Sequence, residues 1–307
     1  MDMATKTVGL VGIGMMGWPM ANCMVQKGID LLLFDVDAAR SAKCASEIGG
    51  KAVASLRELG ARADVFITML PNSEIVSRVF FGEGDSLAES LRPGATVIEM
   101  SSGSPDVTIE IGARLAAKGV RMIDAPVSGG VSRARAGTLT IMAGGDPAVV
   151  DECGPILQTM GSVMPVGILG AGQAMKALNN LVSAGGLLIG IEALLIGQKF
   201  GLDPDRMVDI LNVSTGMNNS TQKKFKQFVL SRKFDDGGFA LGLMAKDVGI
   251  ALDVAKGTGT AAPFSALCSH LWNAASAMLG PKQDHTAITL MCETFAKAKL
   301  GEAQPKK

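Results

Sequence analysis

Short apolar runs that end at glycine, proline or aspartate alternate with stretches of helical composition over the first half of the chain. The helical stretches include residues 19–27 and 105–118. Because strands that alternate with helices form a parallel sheet with helices on both faces, this pattern predicts a doubly wound α/β domain. The predicted strands are residues 7–11, 29–35, 63–70, 95–100, 120–125 and 138–143, with a possible seventh at 162–166.

The pattern changes after Gly172, where the strand signals stop and only helical stretches follow. We therefore predict a domain boundary near Gly170, with an α/β domain over residues 1–169 and an all-helical domain over residues 170–307. The predicted helices of the second domain are residues 174–200, 203–212, 221–231, 241–256, 263–278 and 287–300.

Composition and charge limit the classes of partner. The chain has 307 residues, of which 48% are apolar and 19% charged, as expected for a folded globular protein. Lys+Arg and Asp+Glu are equal at 29 each, which gives no long-range attraction to nucleic acid or to an anionic membrane. Residues 181–197 form the most membrane-like segment, but they include Ser183 and Glu192 and are shorter than a usual span, which predicts a buried core helix. No nucleic acid or membrane is expected as a partner.

The cysteines indicate a reducing compartment. The five cysteines are scattered and include no C-x-x-C pair, which predicts free thiols rather than a disulfide framework. The N-terminal sequence MDMATKTVGLVGIG has too short an apolar run for a secretory signal. We therefore expect a cytoplasmic protein.

A glycine-rich turn follows the first predicted strand, in the sequence VGLVGIGMMGWPMA. G-x-G-x-x-G is a weak signal alone, but this one follows a strand, opens a helix and is followed by a second strand that ends in Asp35. In such turns the glycines allow a tight bend, access of a pyrophosphate to the backbone, and close packing of helix on strand. The candidate cofactor-binding residues of the turn are Gly12, Ile13, Gly14, Met15, Met16 and Gly17.

Asp35 is the candidate for the ribose contact of the cofactor. It lies 18 residues beyond Gly17, close to the spacing of a carboxylate that binds the ribose 2′-hydroxyl. The next two residues, Val36 and Asp37, are not basic, which favours NAD over a cofactor with a 2′-phosphate. Arg40 is near enough along the chain to swing back, so NADP remains possible.

The composition excludes several kinds of catalytic site. The chain has no tyrosine, which excludes dehydrogenases that use a Tyr-x-x-x-Lys acid. With two histidines, His270 and His285, and no cysteine cluster, no metal site is expected, and each histidine is predicted to be structural or at the surface. No glycine precedes a Lys-Ser or Lys-Thr pair, which excludes a P-loop.

One lysine lies in the apolar helix predicted after the domain boundary. In GAGQAMKALNNLVSAGG, Lys176 and Asn180 are one helical turn apart, and Gly172 and Ser183 lie along the same face. Both polar side chains can therefore reach one small ligand. Burial disfavours an ammonium ion, so a lysine in such surroundings can act as an acid or base near neutral pH. The alternative is a lysine near a helix end whose ammonium group reaches solvent, and spacing alone does not separate the two.

Four sequence blocks resemble the β-hydroxyacid dehydrogenase family, which includes 3-hydroxyisobutyrate dehydrogenase and, more distantly, 6-phosphogluconate dehydrogenase. They are VGLVGIGMMGWPMA, DAPVSGG, GAGQAMKALNN and MAKDVGIALD, in the family's order, and the resemblance covers residues 8–297. It implies an N-terminal Rossmann-type doubly wound α/β sheet, a long interdomain helix and an all-α C-terminal domain. It also implies a homodimer or homotetramer.

The resemblance implies a role for each matching residue. Lys176 would be the general acid or base, and Asn180 would hold the substrate. The substrate carboxylate would bind to Ser128, Gly129 and Gly130 through a hydroxyl and backbone N–H groups, which an anion can approach closely at a glycine pair. Ser102 would lie on the nicotinamide side, and Lys246 near the cofactor and the substrate. The further candidates for cofactor binding are Leu70, Pro71, Ser102, Lys246 and Asp247.

Three positions set this chain apart from parts of the family. Gly103 follows Ser102 where the family usually has isoleucine, so that loop is expected to differ. Ser183 stands where the phosphogluconate branch has glutamate, which argues against that substrate. Imine reductases of related fold usually lack a lysine at position 176, so Lys176 argues against that activity.

We therefore predict an oxidoreductase that transfers a hydride between NAD and a small 3-hydroxy acid similar to 3-hydroxyisobutyrate. A second possibility is a reductase of tartronate semialdehyde or a related aldehyde acid. A third, of another class, is a non-catalytic nucleotide-binding interaction protein.

Overall fold

The computed structural model describes residues 6–235 and 238–302. Residues 1–5 and 303–307, which are the outer ends of the two predicted domains, lie outside the described residues. The chain divides into two compact units, Met1–Lys176 and Ala177–Lys307.

The first unit contains one sheet. Within the described residues, its strands are β1 (Val8–Val11), β2 (Leu31–Phe34), β3 (Lys51–Ala52), β4 (Val65–Thr68), β5 (Thr96–Glu99), β6 (Arg121–Asp124), β7 (Val127–Ser128), β8 (Leu139–Gly144) and β9 (Gly161–Gly167). The two strands that the sequence did not predict, β3 and β7, are each two residues long, too short to produce an apolar run. The strand order in the sheet is β3-β2-β1-β4-β5-β6-β8-β7, with β9 also paired to β8.

The sheet is mainly parallel, as predicted, but not wholly so. Strands β1 to β6 pair in parallel, whereas β8 is antiparallel to both β6 and β7. The connection between β7 and β8 holds only the short helix α6 (Gly130–Ala136), and a parallel return usually needs a crossover of about a dozen residues or more. The predicted parallel, doubly wound sheet is therefore confirmed over β1 to β6, and the antiparallel pairing is confined to this edge.

Apolar side chains cover both faces of the sheet, which is the doubly wound arrangement. On β2, Leu31 and Leu33 belong to one buried cluster, while Leu32 between them belongs to another. This alternation follows from the two-residue period of a strand. The other helices of this unit are α1 (Gly17–Gln26), α2 (Ala38–Ile48), α3 (Leu56–Arg62), α4 (Ser73–Phe81), α5 (Pro105–Ala116) and α7 (Pro147–Leu157), with a 3₁₀ turn at Leu87–Glu89.

The second unit is helical in its described part. Helix α8 (Ala171–Phe200) begins before the division, which falls after Lys176. The apolar core of this unit surrounds Trp272 and Phe225, which are both fully buried. The remaining helices are α9 (Pro204–Asn212), α10 (Asn219–Lys223), α11 (Leu241–Gly257), α12 (Pro263–Leu279) and α13 (Ile288–Ala296).

Two predicted helices differ in detail. The stretch predicted over residues 221–231 is the short helix α10 followed by a π-helical turn, Phe225–Leu230. The change occurs at Lys224, whose carbonyl accepts hydrogen bonds from both Phe228 N (2.9 Å) and Val229 N (3.2 Å). The helix predicted to end at residue 300 ends at Ala296, because Lys297 adopts a left-handed conformation with φ 48°.

Helix α8 is long and apolar enough to span a membrane by length and composition alone. In its most hydropathic window 56% of the residues are buried inside the protein, which fits the predicted core helix. The opposite face exposes Val182, Ile189 and Ile196, which follow one another at intervals of seven residues.

Candidate active site

The glycine turn after β1 has the geometry of a phosphate-binding turn. Gly12 has φ 98°, and a Cβ there would lie 2.3 Å from Met69 O. A Cβ at Gly17 would lie 1.9 Å from Gly12 O, so neither position accepts a side chain. A Cβ at Gly14, by contrast, would meet no described atom within 4 Å. The turn therefore closes on itself at Gly12 and Gly17 and leaves open space at Gly14.

The start of helix α1 is free to receive an anion. Its N-cap residue Met16 makes no side-chain capping bond. The structure describes every residue of this helix, and its first turn contains no acidic residue. A cavity of about 910 Å³ borders Ile13, Gly14 and Met15. Because the N–H groups at a helix start attract phosphate, these residues fit the pyrophosphate of a dinucleotide.

Asp35, at the end of β2, is held against the glycine turn. Its Oδ2 accepts a hydrogen bond from Ile13 N (2.8 Å) and its Oδ1 one from Asp37 N (2.9 Å). Arg40 lies close to two carboxylates, 3.4 Å from Asp35 Oδ1 and 3.3 Å from Asp37 Oδ2. The charge of Arg40 is thus opposed by two negative charges, while Val36 between them is 93% exposed.

The loops after β4 and β5 are tied together. Leu70 N donates to Ser101 Oγ at 2.8 Å, and Ser101 N donates to Glu99 Oε1 at 2.7 Å. Ser102 is half-buried and Pro71 is exposed beside these contacts. Packing explains why position 103 is glycine, because a Cβ there would lie 2.4 Å from Ser73 Oγ at the start of α4.

A buried polar network that the sequence did not predict lies at the end of β5. Glu99 is 1% exposed, and it accepts hydrogen bonds from Ser101 N and Thr68 Oγ1. Burial raises its pKa to about 7, with the neighbouring Asp124 adding to the rise and the hydrogen bonds opposing it. The two carboxylates occupy paired positions on β5 and β6.

Asp124 holds the start of helix α8. Its Oδ1 accepts a hydrogen bond from Gly170 N (2.8 Å) and its Oδ2 one from Gln173 N (2.7 Å). Cβ atoms at Gly144 and Gly172 would lie only 2.6 Å and 2.7 Å from this carboxylate. Burial raises the pKa of Asp124 to about 6, against the lowering effect of the backbone hydrogen bonds. The carboxylate that opens DAPVSGG therefore positions the helix that carries Lys176.

Gln173 links this helix to the loop after β5. Its Oε1 accepts from Gly103 N and its Nε2 donates to Ser101 O, both at 2.8 Å. The side chain is 1% exposed. Gln173 was not among the predicted site residues, although a polar side chain one turn before Lys176 in an otherwise apolar helix was a signal for it.

The Ser128-Gly129-Gly130 segment forms a turn that only glycine readily adopts. Gly129 has φ 136° and Gly130 has φ 66°, both in the region that disfavours side chains. A Cβ at Gly130 would meet no described atom within 4 Å. Ser128 is half-buried and pairs with Thr140 across the antiparallel edge. The turn thus presents a hydroxyl and backbone groups, with open space at Gly130 and the Arg133 side chain close to Gly129.

Lys176 and Asn180 are both buried in helix α8, at 8% and 6% exposure. Asn180 Oδ1 accepts from Asn179 Nδ2 at 3.0 Å, and Asn180 Nδ2 donates to Asp247 Oδ2 at 2.5 Å. Lys246 Nζ lies 3.2 Å from Asp247 Oδ1. The predicted residues Asn180, Lys246 and Asp247 are therefore in contact. The burial of Lys176 disfavours the alternative in which its ammonium group reaches solvent.

The histidines lie away from these contacts along the chain. His270 is exposed, while His285 is buried in a 3₁₀ turn, His285–Ala287. His285 Nδ1 lies 3.1 Å from Phe239 O and 3.4 Å from Asp284 Oδ2. Over residues 6–235 and 238–302, no group of three or more His, Cys, Asp or Glu side chains could hold a metal ion.

Comparison with known proteins identifies the family. Residues 7–170 match a family described as the NAD binding domain of 6-phosphogluconate dehydrogenase. Residues 170–292 match one described as NAD-binding of NADP-dependent 3-hydroxyisobutyrate dehydrogenase. The chain belongs to the β-hydroxyacid dehydrogenase family. The resemblance seen in the four sequence blocks is thereby confirmed, together with NAD or NADP as the cofactor.

Individual members of the family match over nearly their full length. The chain is 35% identical to 2-(hydroxymethyl)glutarate dehydrogenase of Eubacterium barkeri, covering 97% of this chain and 98% of the relative. It is 33% identical to 2-hydroxy-3-oxopropionate reductase of Escherichia coli, over 95% and 99%. The solved structure of Mycobacterium tuberculosis 3-hydroxyisobutyrate dehydrogenase with L-serine has a TM-score of 0.84 at 32% identity, covering 94% and 99%. These matches confirm the predicted fold and favour an enzyme over the non-catalytic alternative.

Proposed function

We propose that the protein oxidises a small 3-hydroxy acid, similar to 3-hydroxyisobutyrate, with NAD, and that Lys176 moves the hydroxyl proton. The observation that carries this proposal is the burial of Lys176 on a helix whose start is held by Asp124. A side chain fixed in this way can be positioned against a reacting group, which is a large part of catalytic rate. Bound NAD supplies the acceptor for the hydride.

The substrate carboxylate binds to Ser128, Gly129 and Gly130 in this proposal. The positive φ values of the two glycines and the open space at Gly130 support it, because backbone N–H groups without neighbouring side chains suit a carboxylate. This contact exists in both the ground state and the transition state, so its main effect is on substrate affinity.

Lys176 accepts the proton of the substrate hydroxyl during oxidation and returns it during reduction. Asn180, one turn further along α8, orients the hydroxyl, and Asp247 fixes the Asn180 amide by accepting its N–H. A positioned acid or base of this kind contributes about 10²- to 10⁴-fold to the rate.

We propose NAD rather than NADP as the preferred cofactor. A 2′-phosphate would approach Asp35, and the positive charge of Arg40 is already opposed by Asp35 and Asp37. Like charges that meet at a binding site reduce affinity, whereas a ribose hydroxyl can donate a hydrogen bond to a carboxylate.

The second candidate is the reverse physiological direction, the reduction of tartronate semialdehyde or a related aldehyde acid. The similarity to the Escherichia coli 2-hydroxy-3-oxopropionate reductase favours it. The same residues would serve, with Lys176 donating its proton to the forming alkoxide.

The proposal is tested by steady-state kinetics on Lys176→Ala, Lys176→Arg and Asn180→Ala, with a scan of 3-hydroxyisobutyrate, serine, threonate, glycerate and tartronate semialdehyde. Each substrate is tested with NAD and with NADP. We expect Lys176→Ala to reduce kcat about 10²- to 10⁴-fold and Lys176→Arg not to restore it, because a guanidinium does not release its proton at working pH. Asn180→Ala should act in the same direction but more weakly.

Lys199→Ala is the matched control, since Lys199 is exposed in the last turn of the same helix and donates to Ala296 O. It should retain normal kcat. Melting temperature and cofactor binding are measured on every variant to separate loss of folding from loss of chemistry. An active Lys176→Arg enzyme would end the proposed mechanism.

We also propose that the protein forms a homodimer or homotetramer in the cytoplasm. The exposed apolar positions Val182, Ile189 and Ile196 on α8 support association, because a row of this kind favours packing against another protein surface. The five cysteines are all buried free thiols, which suits a reducing compartment. Light scattering of Ile189→Asp against the unmodified protein tests the association.

A further inference from the structure

A lysine outside the proposed mechanism, Lys224, lies against helix α8. Its Nζ donates to Ser183 Oγ at 3.3 Å. At 3.6 residues per turn, Ser183 is only about 20° around the helix from Lys176, so the two share a face. Ser183 lies about 4.5 Å further along the axis than Asn180, at 1.5 Å per residue. Lys224 therefore contacts α8 on the face that carries Lys176, one turn beyond Asn180.

The backbone around Lys224 is built to hold it there. Lys224 ends α10 and begins the π-helical turn Phe225–Leu230, and such irregular turns occur often at functional sites. The start of α10 packs on α8 close to Ser183, since a Cβ at Gly186 would lie 3.5 Å from the side chain of Asn218. A structured turn, rather than a surface loop, therefore holds the ammonium group in place.

Among the residues that the structure describes, the charge of Lys224 is poorly compensated. Burial lowers its pKa to about 8, and Asp284 opposes this only in part. Asp284 is itself paired with His285 at 3.4 Å, and none of the ion pairs among the described residues includes Lys224. A partly buried cation that has no close counter-ion among residues 6–235 and 238–302 is costly to hold, which suits a position that binds an anion from outside.

A second polar group at this turn also lacks a partner. Ser220, one turn before Lys224 on α10, is 1% exposed, and its Oγ makes no hydrogen bond within the part of the chain that the structure describes. The two residues are adjacent in the turn, because Lys224 N donates to Ser220 O at 3.0 Å. One ammonium group and two hydroxyls provide hydrogen-bond donors and one positive charge, which match one carboxylate with its single negative charge. A phosphate monoester carries nearly two negative charges.

We propose that Lys224 and Ser183 form a subsite for a second carboxylate of the substrate, so that the enzyme acts on 3-hydroxy acids that carry two carboxylates. This inference rests on the proposed function, in which Lys176 and Asn180 hold the hydroxyl end. The subsite selects substrates by charge at the far end of the molecule. It takes no part in the proton transfer.

The test compares two substrates that differ only at the far end, 2-(hydroxymethyl)glutarate and its 5-amide, with NAD as the cofactor. The ratio of kcat/KM for the diacid over the amide is measured in the unmodified enzyme and in Lys224→Met, Lys224→Arg and Ser183→Ala. We expect the unmodified enzyme to favour the diacid, and Lys224→Met to reduce the ratio about 10- to 100-fold, the usual effect of a charged hydrogen bond. Lys224→Arg should retain most of the ratio, and Ser183→Ala should lower it less.

Lys226→Met is the matched control, because Lys226 pairs with Asp209 at 2.6 Å and Asp205 at 3.9 Å instead. It should leave the ratio unchanged. An unmodified enzyme that oxidises both substrates equally overturns the inference without any variant, and leaves the proposed function standing. A fall in the ratio in Lys226→Met as large as the fall in Lys224→Met would also overturn the inference. An enzyme that oxidises no hydroxy acid in the substrate scan contradicts the proposed function as well.

Discussion

The buried carboxylate of Glu99 makes the stability of the first unit depend on pH. Its pKa is raised from 4.5 to about 7, chiefly by burial, so between these values the folded state holds a proton that the unfolded state has lost. Stability therefore falls as pH rises through this window, and the loss is complete above about pH 7. The two pKa values differ by about 2.5, and one pKa unit corresponds to about 1.36 kcal/mol. The loss in the free energy of unfolding is therefore roughly 3 kcal/mol.

Glu99→Gln should remove this dependence. The glutamine is isosteric, its oxygen can accept from Ser101 N, and its amide can donate to Thr68 Oγ1, so both hydrogen bonds of the carboxylate survive in a neutral group. We expect the variant to match the unmodified protein near pH 5. Relative to the unmodified protein it should gain about 2–3 kcal/mol in the free energy of unfolding by pH 8.

The measurement is urea denaturation at pH 5, 6, 7 and 8 in a Trp272→Phe background. The chain has two tryptophans, and Trp18 in α1 then reports on the first unit alone. Taking the difference between variant and parent cancels the titrating groups that do not interact with Glu99. Glu89→Gln is the control, because Glu89 is exposed and pairs with Arg57. A stability difference that stays constant from pH 5 to pH 8, or a variant that is less stable throughout, would refute the reasoning.

Two further predictions concern binding. Val36→Arg places a cation at a 93% exposed position without disturbing the carboxylate of Asp35, and should raise kcat/KM with NADP about 10- to 100-fold in a coupled absorbance assay. An unmodified enzyme that already works better with NADP would make Arg40 the determinant. Ser128→Ala should raise KM for the hydroxy acid more than it lowers kcat, since the carboxylate is held in ground and transition states alike. A fall in kcat at constant KM would instead place Ser128 at the reacting centre.

The sequence predicted those parts of the fold that depend on long apolar runs. Strand β1 is buried along its whole length, so its residues form a continuous apolar run that can be recognised without knowing its partners. The two-residue strands β3 and β7 produce no such run. The π-helical turn after Lys224 arises from hydrogen bonds to one carbonyl, which no hydrophobic pattern records.

The candidate site was predictable where a motif fixes the backbone, and not where the contacts span long stretches of sequence. The glycines at positions 12, 14 and 17 have local roles that can be read from their spacing. By contrast, Asp124 binds Gly170 N across 46 residues, and Gln173 binds Gly103 N across 70. A single sequence shows a carboxylate after an apolar strand, but gives no indication of which distant N–H it accepts.

The anchoring of α8 has a consequence for how this chain can change in evolution. Asp124 and the loop after β5 hold Gly170 and Gln173 at the beginning of the helix, and Lys176 follows three residues after Gln173. Each inserted or deleted residue between Gln173 and Lys176 would rotate the lysine by about 100° around the helix axis. Substitutions of apolar neighbours such as Met175 keep this phase, whereas a change in length does not. We therefore expect this segment to tolerate replacement of residues far better than insertion or deletion.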